Sequence, residues 1–129
     1  MTTVKSKQGF TILEVIISIS IMAVGLIATA SMQAAAVKAT AGAFRISESA
    51  TLAQDRMEVL LSRPYRDPML APGAHRDPSP PAGYSISWNV VDDSPVANTK
   101  RLEVTVSWKE GRAERTTTLR CVKPELTGS

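Results

Sequence analysis

One cysteine, one histidine and no proline before position 64 set the first limits on this 129-residue chain. A lone thiol, Cys121, cannot close an internal disulfide, so stability has to come from packing. Cys121 alternates with Leu119 and has no base near it in sequence, which makes it a small buried hydrophobe and not a nucleophile. His75 has no second histidine or cysteine at ligand spacing, so no metal site is expected. Asp92 and Asp93 form the one paired carboxylate of note, but beside Ser94-Pro95 they read as turn residues. No catalytic constellation emerges, and neither enzymatic activity nor a cofactor is expected. The formal net charge is only +3, with no basic patch of the kind that binds nucleic acid.

Charge is scarcest where apolar residues are densest. From Gln8 to Val37 the only charged side chain is Glu14. Placing an acid near hydrocarbon costs up to a few kcal/mol depending on depth, so such a residue usually has a partner and a use. The run from Phe10 to about Ala30 is long enough to span a bilayer, since roughly 20 apolar residues rising about 1.5 Å each cover the hydrocarbon core. Lys5 and Lys7 precede the span and, by the positive-inside rule, keep the N-terminus cytoplasmic and place the C-terminal domain outside. A secretory signal peptide is the rival reading, with small-residue cleavage sites at Ala28-Thr29-Ala30 or Ala34-Ala35-Ala36; the length of the apolar run and the acid in its first turns argue against it.

The absence of proline carries the helix further. The apolar span continues through Lys38 and Phe44 into Leu52-Ala53-Gln54-Asp55-Arg56-Met57-Glu58 and predicts one helix from Phe10 to Ser62, roughly 80 Å long. Its second half is amphipathic, with Ile46, Ala50, Ala53, Met57 and Leu60 at three- and four-residue steps. Its first half must then project into a membrane or a bundle of neighbours. Gly25 and Gly42 are either helix-contact points or mild helix defects. Pro64 ends the helix. Residues 63–83 are rich in proline and read as a loop without regular structure. From Tyr84 the period becomes two: Tyr84, Ile86, Trp88 and Val90 face one way, then Leu102, Val104, Val106 and Trp108, then a threonine-rich strand from Ala113 to Val122 after a reversal at Glu110-Gly111. Both tryptophans are expected in the core. The fold class is α+β: a long N-terminal helix whose amphipathic half packs on a three-stranded antiparallel meander, residues 84–122.

Basic residues, then Gly9-Phe10, then Glu14 four residues on, then a long apolar helix: this resembles the N-terminus of type IV pilins and of type II secretion pseudopilins. Leu52-Ala53-Gln54-Asp55-Arg56-Met57-Glu58 with Pro64-Tyr65, and Leu102-Glu103-Val104-Thr105-Val106-Ser107-Trp108, further resemble the minor pilins called PilV and related minor pseudopilins. The resemblance implies a pilin-like fold with a leader, 1–9, a membrane or filament-core half-helix, 10–38, and a periplasmic domain, 39–129. It implies cleavage after Gly9 by a prepilin peptidase that also methylates Phe10. Loss of Lys5 and Lys7 would leave 13 basic against 12 acidic residues. Glu14, the fifth mature residue, would serve assembly by pairing with the Phe10 amine of a neighbouring subunit. The implied partners are that peptidase, other major and minor pilins or pseudopilins, an inner-membrane assembly platform, and lipid before assembly. The implied place is the bacterial inner membrane, then a pilus or pseudopilus. A membrane-tethered binding domain that never polymerises is the alternative of another class. Two departures stand out: many major pilins close a C-terminal loop with a cysteine pair and carry a helix-breaking proline, and this chain has neither.

Overall fold

The computed structural model describes residues 9–126; Lys5, Lys7 and the rest of the expected leader before Gly9 lie outside them. The chain divides into two units, residues 1–41 and residues 42–129. Helix α1, Ile12–Ser62, contributes to both.

In the first unit, every described residue is exposed. The few hydroxyls on the helix are turned inward to its own backbone: Ser18, Ser20, Ser31 and Thr40 each donate to the carbonyl four residues earlier, and Thr29 to that of Leu26. This back-bonding removes free donors from the helix surface. Apart from Glu14 and Gln33, what remains outward is apolar, from Ile12 and Leu13 through Ile27 to Val37.

The second unit is an antiparallel sheet covered by the later part of α1. Its strands are β1 (Gly73–Arg76), β2 (Tyr84–Asp92), β3 (Thr99–Glu110) and β4 (Ala113–Pro124), in the spatial order β1-β2-β3-β4. The period-two reading holds where it was made. Tyr84, Ile86, Trp88 and Val90 are buried, as are Leu102, Val104, Val106 and Trp108. The register sets Ile86 against Val106 and Trp88 against Val104, so the two rows form a single apolar layer. Leu70 completes it from a short 3-10 helix, Pro68–Leu70. Cys121 packs against the same core from β4 but is only half-buried.

Two expectations are corrected. The sheet has four strands, because the proline-rich segment assigned to a loop contains the 3-10 helix and β1, which pairs Gly73–Arg76 with Val90–Ser87. The four residues of β1 are too few to show an alternation, yet Trp88 pins the segment: its indole N–H donates to the Met69 carbonyl at 2.9 Å, and His75 stacks on its ring. Arg56 of α1 lies over the same ring and pairs with buried Asp77, just beyond β1. The second correction concerns the helix stripe, which is Ser49, Ala53, Met57 and Leu60. Ile46 is exposed and Ala50 only half-buried. Ser49 takes the inward position because its hydroxyl meets that of Thr117 at 2.8 Å, so a polar residue is accommodated at the helix–sheet seam.

Three further contacts tie α1 to the sheet. A Cβ at Gly42 would lie 3.0 Å from the Glu110 carboxylate, so Gly42 is a contact point; at Gly25 a Cβ would meet nothing within 4 Å. Tyr84 donates its phenolic proton to Glu48, and that bond, with burial, raises the Tyr84 pKa above its ordinary 10.0. At the helix C-terminus Lys123 of β4 donates to the carbonyls of Leu61, at 2.6 Å, and Arg63, satisfying orphan acceptors just before Pro64. Burial there pushes the Lys123 pKa below 10.5.

Because Val104 is fully buried and its neighbour Thr105 faces away from the core, Val104→Asp is expected to destabilise a soluble fragment of residues 39–129 by several kcal/mol, through burial of an unpaired carboxylate, while Thr105→Asp costs little. Denaturant unfolding of the two variants checks this, and equal midpoints would contradict the assigned strand faces.

Candidate processing and assembly site

The sequence singles out Gly9, Phe10 and Glu14, and the described residues place them in consecutive stretches of backbone. Gly9, Phe10 and Thr11 precede the helix without regular structure. Phe10 is 83% exposed. An exposed, non-helical segment that carries a glycine is the form of backbone a peptidase can draw into an extended conformation, since glycine has no Cβ to obstruct it.

Thr11 marks the transition. Its carbonyl accepts from Val15 N–H at 3.2 Å, the first helical bond, and its hydroxyl accepts from Glu14 N–H at 3.2 Å. Thr11 is therefore the N-cap and Glu14 the third helical residue, the spacing of a capping box. Sequence reasoning had not assigned the cap, although Thr-Ile-Leu-Glu carries its signature. The cap fixes where the helix starts and so holds Glu14 one turn inside it, with Phe10 left outside.

The electrostatic setting of Glu14 follows from what surrounds it in the chain. A carboxylate in the first turn is favoured by the helix dipole, by up to about 1 kcal/mol at an exposed site. That is smaller than the cost of an unpaired charge near hydrocarbon. No lysine or arginine occurs between Phe10 and Val37, and no ion pair to Glu14 forms among the described residues. The carboxylate is exposed on a helix surface that is otherwise apolar. Chemically the arrangement offers a glycine and an exposed phenylalanine outside the helix, and an acid four residues on.

The other residues weighed for function sit elsewhere. Asp92 pairs with Lys100 at 2.6 Å. Asp93 adopts a left-handed φ of 51° and accepts from Asn98 N–H, closing the β2–β3 turn. His75 approaches the Ala71 carbonyl at 2.7 Å in addition to its stacking on Trp88. Among the described residues no group of three or more His, Cys, Asp or Glu is placed to hold a metal ion.

Helix α1 is long and apolar enough to cross a membrane, by length and composition, and none of its most apolar stretch is buried. No curated protein and no solved structure matches the chain. Residues 4–30 match the family model described as the prokaryotic N-terminal methylation motif. The match takes in Gly9, Phe10, the Thr11 cap, Glu14 and most of the exposed apolar half-helix, and it supports a place for the chain among pilin-like and pseudopilin proteins.

Proposed function

We propose that this chain is a minor pilin of PilV type: a prepilin held in the bacterial inner membrane, cut after Gly9, methylated at the Phe10 amine, and then inserted into a type IV pilus or its tip complex. The observation that carries this reading is Glu14, an acid on an exposed apolar helix with no cation among the side chains from Phe10 to Val37. Cleavage supplies the missing cation, because it turns the Phe10 peptide nitrogen into an amine. Opposite charges in an apolar setting attract far more strongly than in water, so docking a second subunit with its amine against Glu14 relieves the cost of the buried acid.

The rest of the chain suits that role. The apolar half-helix has to leave lipid for another apolar environment, and a bundle of neighbouring helices provides one. A minor pseudopilin of a type II secretion system, which uses the same motif and the same chemistry, is the close alternative, and the resemblance over 52–58, 64–65 and 102–108 extends to it as well. A simple membrane tether needs no acid in its span, and Glu14 argues against it.

Processing makes a mass prediction. The N-terminal peptide of the mature chain from native membranes should begin with N-methylated Phe10; a start at Ser31 or Val37 would instead indicate ordinary signal-peptide cleavage. Assembly makes a second. Glu14→Ala should leave folding and cleavage intact, since residue 14 contributes nothing to the core of residues 42–129, and should ease residence in lipid. In cells lacking the wild-type copy, the processed variant should accumulate in the inner membrane and be missing from sheared filaments. Normal incorporation would defeat the assembly role of Glu14 and revive the tether reading.

A further inference from the structure

Only Phe10 and Thr11 separate Gly9 from Ile12, the first residue of α1, so a small change in where the helix starts would draw the Gly9–Phe10 bond into it. That start is set by one side chain. Thr11 takes the Val15 N–H on its carbonyl and the Glu14 N–H on its hydroxyl, each at 3.2 Å.

Hydrolysis after Gly9 needs the Gly9 carbonyl open to attack: water adds its oxygen to that carbon, the bond to the Phe10 nitrogen breaks, and the proton passes to that nitrogen. The carbonyl is free here, because among the described residues no backbone N–H donates to it. A helix beginning two residues earlier would close it. With Gly9 as the cap, Leu13 N–H would bond to the Gly9 carbonyl and Phe10 would enter the first turn. Gly9 is a real competitor, since glycine ranks beside threonine as a capping residue, whereas Phe10 is not of a capping type. Thr11 decides between them in two ways. Its hydroxyl supplies an acceptor that glycine lacks, and as a β-branched residue it is a poor helix former, so a helix that ran on through it would lose the cap and gain little.

We propose that Thr11 is a positioning residue for the cleavage: by starting α1 at Ile12 it keeps the Gly9 carbonyl unbonded and the Gly9–Phe10 peptide outside the helix. The inference rests on the reading that the chain is cut after Gly9, and adds to it a residue that governs how readily the cut is made. Thr11 acts through the backbone, without touching the reacting atoms.

Cleavage of the full-length chain in detergent micelles by a purified prepilin peptidase tests this, using two variants that separate capping from shape. Thr11→Val keeps the shape and removes the acceptor; Thr11→Asn changes the shape and keeps a strong capping acceptor. Thr11→Val should lower kcat/KM about fivefold, the factor that corresponds to roughly 1 kcal/mol for a lost cap, while Thr11→Asn is cut as fast as the wild type. The 13C shifts of Gly9 and Phe10 should move towards helical values in Thr11→Val alone. Equal cleavage of Thr11→Val and wild type, or slow cleavage of Thr11→Val with unmoved shifts, would overturn the proposal while leaving the processing reading intact. Thr11→Asn as slow as Thr11→Val would overturn it too, by assigning Thr11 to direct contact with the peptidase. A wild-type chain that is not cut after Gly9 would defeat the processing reading and this inference with it.

Discussion

Removing the isoleucine, leucine, valine and methionine side chains between Ile12 and Val37 from water is worth on the order of 20 kcal/mol, and all of them are exposed. That is more than the net stability of an ordinary domain. No adjustment within the helix can offset it, because the serine and threonine hydroxyls that would have softened the surface are bonded to the helix's own carbonyls. The first half of α1 therefore has to be covered from outside, by lipid or by other helices. Glu14 acquires its meaning from this: a carboxylate on a helix in water is commonplace, whereas on a surface that must be covered by hydrocarbon it demands a cation.

The domain of residues 42–129 is built so that this demand does not disturb it. Its core closes between Ala53, Met57 and Leu60 of α1 and the inward rows of β2 and β3. The polar contacts lie around that core: Ser49 with Thr117, Tyr84 with Glu48, Arg56 with Asp77. Lys123 closes the open end of α1 by taking its last carbonyls. The charges nearest the core are thus held by partners within the domain, whereas Glu14 lies on a stretch of helix that carries no cation from Phe10 to Val37.

The elements that were legible in the sequence are those with a strong local period. Two rows of alternating large apolar residues, Tyr84 to Val90 and Leu102 to Trp108, specify strands because no other backbone conformation puts every second side chain on one face. The helix was legible from its length without proline. β1 was not, since Gly73-Ala74-His75-Arg76 has no alternation and is held as a strand by Trp88 and by the β2 backbone, contacts distant in sequence. Ile46 misled because hydrophobicity alone ranks it above Ser49, whereas the neighbouring Thr117 hydroxyl decides which of them faces the sheet. At the candidate site the residues were legible because a charge in an apolar run is conspicuous, and the Thr11 cap could have been read from Thr-x-x-Glu. Lys123 as a helix cap had no local signal, as it lies about 60 residues beyond the carbonyls it binds.

The account turns on whether the carboxylate of Glu14 meets an amine that belongs to another subunit. Solid-state NMR can measure this in filaments where this chain carries 13C-labelled glutamate and the surrounding subunits carry 15N-labelled phenylalanine at their N-termini. A dipolar contact between the Glu14 carboxyl carbon and a neighbour's terminal amine nitrogen, within about 4 Å, is the predicted result, with no such contact when the same chain is isolated in lipid. Its absence from assembled filaments would contradict the account.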